Sequence, residues 1–259
     1  QFHIKFPNVA VAVCERRIEA IPQLIQDVPN LQAIILDDAY QHREIVADFN
    51  ILLTDYNNLY TDDFFIPTGD LRDERKSAKR ASIIVVTKCP KDLSEAERNE
   101  IVEKLYPEQH QSVFFTSIKY ETPYHIYHPS DQWILTMRDE VLLVCGIANP
   151  LPLKNYLHEH THTYYQLTYS DHHIFSIEDL QEIKQKFEEI QAKNKLILTT
   201  EKDAVRLVKY TEELHDIPLY VLPIKPIFLF DAEPIFNQLV MDYVAQFYTN
   251  NNGKEREKY

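Results

Sequence analysis

The sequence predicts an α/β protein in two parts, each a mainly parallel sheet joined by crossover helices, the second part being the smaller. Two observations carry the prediction. Short β-branched runs alternate with longer amphipathic segments along most of the 259 residues, the pattern of strands connected by helical crossovers. That alternation is interrupted over 119–139, where Tyr, His and Pro accumulate without helical period. A hydrophobic content of 44% is ordinary for a globular chain with a core to bury.

In order, the first part shows strand patterns over 9–13, 33–36, 51–54, 83–87 and 113–116, with helical patterns over 17–26 and 94–105. The second of these helices opens on Ser94 with Glu97 three residues on, a capping box in which each side chain satisfies the other's backbone N–H. The second part continues with strands over 141–145, 164–168, 196–199 and 219–222, and helices over 151–160, 176–191, 201–209 and 232–247. The expected division is a first domain over 1–118, a linker over 119–139, a second domain over 140–249 and a disordered, polar tail over 250–259. The first residue is Gln1, and QFHIKFPNVAVAV runs directly into a strand-like pattern, so the sequence is expected to be a fragment that begins internally.

Composition narrows the function. A net charge of −13 and a pI near 5.3 argue against a nucleic-acid partner, because phosphate backbones are bound by positive fields. Cys14, Cys89 and Cys145 are odd in number and far apart, which supplies neither a disulfide framework nor a zinc motif and fits a reducing, cytosolic compartment. No run approaches the ~18 apolar residues of a membrane span, so a soluble or peripheral protein is expected rather than a spanning one. Gly69, Gly146 and Gly253 are the only glycines, and none stands in a GxxxxGK[ST] phosphate loop.

The chemistry is concentrated in short motifs. Ala33-Ile34-Ile35-Leu36 is an apolar run that ends in Asp37 and Asp38; carboxylates at a strand's carboxyl end either hold Mg²⁺ beside nucleotide phosphates, as in many α/β folds, or simply end the strand and cap the next turn. The continuation Asp37-Asp38-Ala39-Tyr40-Gln41-His42-Arg43 resembles the DDGFQHR signature of the tetraacyldisaccharide 4'-kinases, with Ala39 and Tyr40 in place of Gly and Phe. Asp48-Phe49-Asn50-Ile51-Leu52-Leu53 is similar to that family's DLDIVL strand, and Ile66-Pro67-Thr68-Gly69-Asp70-Leu71-Arg72-Asp73 to its LLPAGPLREP loop. Gly146-Ile147-Ala148-Asn149-Pro150 resembles GIARP, Ser170-Asp171-His172 resembles PDH, and Thr200-Glu201-Lys202-Asp203-Ala204-Val205 resembles TEKDAVK. Six motifs in the family's order span nearly the whole chain.

The resemblance implies a P-loop-kinase-like, mainly parallel α/β domain whose N-terminal part is missing, plus a second, smaller α/β domain. It implies transfer of the γ-phosphate of ATP, with Mg²⁺, to the 4'-hydroxyl of the lipid A disaccharide precursor, giving lipid IVA. The place of action would be the cytoplasmic face of the bacterial inner membrane, as a peripheral protein. Carried over residue by residue, Asp37 and Asp38 would be the metal carboxylates, and Arg16, Gln41, His42, Arg72 and Asp73 would face substrate or nucleotide phosphate. His172 would be the catalytic base, with Asp171 tuning it. Without a P-loop, the chain by itself is expected to be inactive. A Mg²⁺-dependent phosphohydrolase and a non-catalytic lipid- or partner-binding remnant are the alternatives.

Two further features invite a reading. Arg72, Arg75, Lys76, Lys79 and Arg80 recur at i, i+3, i+4, i+7 and i+8, which a helix gathers on one face. Such a stripe either meets a phosphate or anionic headgroups, or is a solvated face balanced by Asp73 and Glu74. His158, His160 and His162 form an HxHxH that an extended chain would present on one side, without the cysteine or carboxylate to complete a zinc site.

Overall fold

The computed structural model of the chain describes residues 2–171 and 173–256. Its elements begin with α1 (Phe2–Lys5), α2 (Arg17–Asp27), β1 (Ile51–Asp55), a 3-10 helix (Arg75–Arg80), β2 (Ile83–Thr87), α3 (Glu95–Leu105) and β3 (Ser112–Tyr120). They continue with β4 (Tyr124–His125), β5 (Glu140–Cys145), α4 (Leu151–His160), β6 (Thr163–Thr168), α5 (Ile177–Glu189) and β7 (Lys195–Thr200). The last are α6 (Glu201–Leu207), α7 (Thr211–Leu214), β8 (Leu219–Leu222), β9 (Ile224–Phe228) and α8 (Glu233–Arg256). The chain divides into two compact units, one of residues 8–118 with 226–259, the other of residues 1–7 with 119–225.

In the first unit the sheet order is β1-β2-β3-β9, with β1, β2 and β3 parallel. The central strand β2, IIVVT, is buried on both faces, as a near-continuous β-branched run requires. Because successive side chains alternate sides, Ile84 and Val86 join Phe115 in a core with Ala81, Leu93, Ile101 and Leu105, the last two from α3. Ile83, Val85 and Phe114 face the other way, onto Phe228, Phe236 and Leu239. Helix α3 starts on the Ser94–Glu97 capping box and stops at Tyr106, whose left-handed φ of 49° breaks the helix.

The second unit has the sheet order β4-β8-β7-β5-β6, parallel except for the β4–β8 pair. Strand β5, between β7 and β6, buries Val141, Leu143 and Cys145 against Leu153 and Leu157 of α4. On the opposite face Leu142 and Val144 pack with Leu180, Ile183 and Phe187 of α5. Full burial of each of these is worth roughly 1.5–3 kcal/mol, which places the unit's stability in this sandwich.

Several elements differ from the sequence expectation. Residues 9–13 and 33–36 form no strand: among the described residues no strand pairs with either, and a strand exists only through its ladder of backbone hydrogen bonds. Val13 and Ile35 are each 94% exposed. The stretch 119–139, expected as a linker, contributes β4, whose Tyr124 and His125 pair with Val221 and Tyr220 of β8. Helix α8 belongs to the unit of residues 8–118 and continues to Arg256, where a disordered tail was expected to begin at 250.

The HxHxH also changes meaning. His158 and His160 lie on α4, where positions two apart point to different sides, and His160 stacks on Tyr156 at 4.2 Å with its Nδ1 2.8 Å from the Tyr156 carbonyl. No group of three or more His, Cys, Asp or Glu among the described residues is arranged to hold a metal ion. The basic stripe is likewise broken: only 75–80 is helical, and as a 3-10 turn. Lys76 pairs with Glu74, Lys79 with Glu108 at 2.7 Å, and Arg80 with Asp73 at 3.0 Å.

Candidate active site

In the unit of residues 8–118, the Asp37–Arg43 motif forms a series of tight turns. Asp38 has a φ of 47°, a left-handed conformation that Asp tolerates better than most residues. The turn aims its carboxylate at Arg72, which grips both oxygens in a fork: one guanidinium nitrogen donates to Oδ2 at 3.1 Å, the other to Oδ1. Paired parallel bonds of this kind are the strong form of an ion pair. They hold the Asp38 carboxyl below its ordinary value, with the charges of Arg17 and His42 adding to the effect. Since folding lowers this pKa, the fork persists above the ordinary carboxylate range and opens as pH falls through the lowered value. Asp37, its exposed neighbour, has no partner among the described residues.

Asp73 is a brace. Its carboxylate accepts hydrogen bonds from Arg43 and from Arg80, and although partial burial pushes its pKa up, the bonds from Arg43, the Glu74 N–H and Ser77 bring it below the ordinary value. Tyr40 completes the brace: its hydroxyl donates to the Ser77 carbonyl at 2.8 Å, and Arg80 lies 4.4 Å over its ring. Arg16, at the start of α2, pairs with Glu19 and, at 3.8 Å, with Glu44. Gln41 and His42 lie in the turn that follows Asp38, where the His42 N–H donates to the Ala39 carbonyl at 2.9 Å.

In the unit of residues 119–225, three of the motifs meet at the carboxyl ends of parallel strands, where ligands bind in open α/β sheets. Gly146 follows β5, Ser170 and Asp171 follow β6, and Thr200–Asp203 joins β7 to α6. Fully buried Asp203 ties the first of these to the third: its Oδ2 accepts from the Gly146 N–H at 2.9 Å and the Thr200 hydroxyl at 2.8 Å, and its Oδ1 from Arg206 at 3.1 Å. Lys202 pairs with Asp171 at 2.6 Å. His172 lies outside the described residues. His173 has its Nε2 2.8 Å from Asp179 Oδ2, within the cap of α5, and stacks on Tyr169 at 4.6 Å.

Gly146 has room for nothing larger. A Cβ there would stand 2.9 Å from the Ser170 carbonyl oxygen, 3.4 Å from Asp203 Oδ1 and 3.5 Å from His173 Cβ. Gly146→Ala is expected to cost about 1–3 kcal/mol, read as a lower urea midpoint of Trp133 fluorescence, since Trp133 lies in the same unit.

The sequence named Asp38, Arg72, Asp73 and Asp171 but not which side chains pair with which. Arg17, Arg43, Lys202 and Asp203 went without a role and Arg80 entered only as part of the basic stripe, although Arg43 ends the Asp37–Arg43 motif and Lys202 and Asp203 stand inside Thr200–Val205. A motif shows which positions belong together; which side chain grips which is set by the fold.

The chain is similar to known proteins along nearly its whole length. The family described as tetraacyldisaccharide-1-P 4'-kinase matches it over residues 2–244. A tetraacyldisaccharide 4'-kinase of Bacteroides thetaiotaomicron is 38% identical over 272 residues, covering 99% of this chain and 71% of the relative. Those of Flavobacterium psychrophilum and Flavobacterium johnsoniae are 42% and 43% identical, covering 96% and 95% of this chain and 70% and 69% of the relatives. The crystal structure of LpxK from Aquifex aeolicus in complex with ATP shares the fold, with a TM-score of 0.62 and 19% identity. That match covers 91% of this chain and 65% of the solved one.

Proposed function

The chain belongs to the tetraacyldisaccharide-1-P 4'-kinase family, and from that membership we propose that its motifs serve ATP-dependent phosphorylation of the 4'-hydroxyl of the lipid A disaccharide precursor. The observation that carries the reading is the Asp38–Arg72 fork. Phosphoryl transfer asks a protein to align the attacking oxygen and to balance negative charge, and here the turn that carries Asp37 and Asp38 meets the Arg72 guanidinium of a distant segment, with Asp37 left without a partner among the described residues.

The donor set fits Mg²⁺. This ion takes oxygen ligands, usually one or two carboxylates completed by substrate phosphates, which suits Asp37 and Asp38 and needs no third protein ligand. When bound, it supplies neutralisation of charge on the transferring phosphoryl group. Asp37 and Asp38 would hold it. Arg72, Arg16, Gln41 and His42 would bind phosphate oxygens, while Asp73 keeps Arg43 and Arg80 in place behind them. His172 would take the proton of the sugar hydroxyl, with Asp171, the preceding residue, paired to Lys202.

The acylated substrate calls for a membrane surface, reached peripherally, and the family's use of ATP puts the proposed site of action at the cytoplasmic face of the inner membrane; among the described residues no helix is long and apolar enough to cross a membrane. The test is to mix the protein with ATP, Mg²⁺ and the disaccharide acceptor and follow the phosphate. Phosphate is expected on the sugar when a glycine-rich phosphate loop is fused ahead of Gln1, and nowhere with the 259 residues alone, whose three glycines form no such loop. Phosphate released to water would favour a hydrolase. No transfer by either protein would leave a binding remnant and overturn the kinase reading.

A further inference from the structure

Between Asp63 and Leu71 the chain doubles back on itself. Leu71 N–H donates to the Phe64 carbonyl at 3.0 Å, Ile66 N–H to the Leu71 carbonyl at 3.1 Å, and Thr68 N–H to the Phe65 carbonyl at 3.1 Å. The Asp63 carboxylate accepts from the Phe64 N–H at 2.7 Å and from the Asp70 N–H at 3.2 Å. Gly69 packs so closely on this turn that a Cβ would lie 2.3 Å from the Phe64 carbonyl oxygen and 2.7 Å from its nitrogen. Only glycine closes the loop. Arg75 seals it from outside, donating Nε–H to the Asp63 carbonyl at 3.1 Å with its guanidinium 5.7 Å from the centre of the Phe64 ring.

Within this closed loop Phe64, Phe65 and Ile66 are 63%, 54% and 52% exposed. Large apolar side chains ordinarily leave water on folding, and a backbone fixed by five hydrogen bonds that still displays three of them in a row has the character of an interaction site. Val13 and Ile35 are exposed as well, but on segments with no comparable closure. The loop ends at Leu71, one residue before Arg72, so the apolar tip and the Asp38–Arg72 fork are parts of one element. The 3-10 helix that begins at Arg75 also carries Lys76 and Lys79, 74% and 70% exposed, in surface pairs weak enough to exchange for other anions.

We propose that Phe64, Phe65 and Ile66 are a preformed membrane anchor that inserts among the acyl chains of a lipid bilayer, with Lys76 and Lys79 at the headgroup level. The choice of a bilayer rests on the lipid-kinase reading above. An apolar tip followed in sequence by exposed cations supplies the two kinds of group that acyl chains and anionic headgroups receive, and a loop already fixed loses little conformational freedom on binding.

The test uses the 259-residue chain with its single tryptophan removed, Trp133→Phe, and a new one placed on the tip, Phe65→Trp. Added to vesicles of phosphatidylcholine with a minority of phosphatidylglycerol, it is expected to show a blue-shifted emission that brominated acyl chains quench. In the chain that keeps Phe65, Phe64→Ser with Ile66→Ser should lower vesicle partitioning by about tenfold or more, with an unchanged far-UV circular dichroism spectrum. Phe64→Leu should retain it. High salt should weaken binding only in part, because apolar insertion is not screened.

An unshifted emission in the presence of vesicles overturns the proposal. So does a blue shift without vesicles that grows with protein concentration, which would show a second copy covering the tip. Binding that disappears in high salt and ignores the serine substitutions would assign the contact to the cations alone and overturn it too. No ATP or acceptor is present, so the kinase reading and the anchor stand or fall separately.

Discussion

Replacing Asp203 with alanine is expected to lower the unfolding free energy of its unit by about 3 kcal/mol, the cost of breaking a buried, multiply bonded carboxylate. The side chain is fully buried and has Gly146 N–H, the Thr200 hydroxyl and Arg206 as partners. Its removal leaves the Gly146 N–H without this acceptor and takes one carboxylate partner away from Arg206. Asp203→Asn keeps the shape and one acceptor oxygen, so it should recover a large part of the loss. Urea unfolding followed through Trp133, which belongs to the same unit, measures both. A change below about 1 kcal/mol for the alanine variant would show that Gly146 and Arg206 find other partners.

Asp38→Ala should have the opposite profile, sparing the fold and removing the activity. The side chain is more than half exposed, and exposed ion pairs contribute about 0–1 kcal/mol, so thermal unfolding should hardly move. In the protein fused to a phosphate loop, phosphoryl transfer is expected to fall by on the order of 10²–10³-fold, the scale of losing one electrostatic element of a transition state. Asp37→Ala should be damaging as well. Near-normal turnover of Asp38→Ala at saturating Mg²⁺ would remove Asp38 from the metal site and return the fork with Arg72 to a structural role.

What the sequence made legible was whatever depends on near neighbours. The Ser94–Glu97 box is a contact across three residues and appears as read. The β-branched run over 83–87 became β2, because burial on both faces needs no polar alternation. The run over 33–36 carries the same apolar signal yet forms no strand, since the signal describes side chains while a strand needs a partner backbone. The basic stripe failed for a related reason: its spacing assumed an α-helical turn, and a 3-10 helix from Arg75 to Arg80 redistributes the cations onto Glu74, Glu108 and Asp73. At the site, the motifs named Asp38 and Arg72 separately. That one clamps the other, 34 residues away, is a long-range fact that no local pattern contains.

The division of the chain has a consequence for the order in which the protein is made. One unit, residues 119–225, is continuous apart from its short N-terminal piece, whereas the other is split and is completed only by residues from 226 onward. Phe228, Phe236 and Leu239 cover the face of the sheet that presents Ile83, Val85 and Phe114, and they are synthesised after the whole of the continuous unit. A ribosome adding roughly 5–20 residues per second needs on the order of 5–20 s to cross the intervening hundred or so residues. Throughout that interval the β1–β3 sheet has one apolar face uncovered, while the later-made unit already holds all of its own strands as it emerges. The nascent chain therefore finishes its second half before its first, and the period of greatest exposure to chaperones and to aggregation falls on residues 8–118.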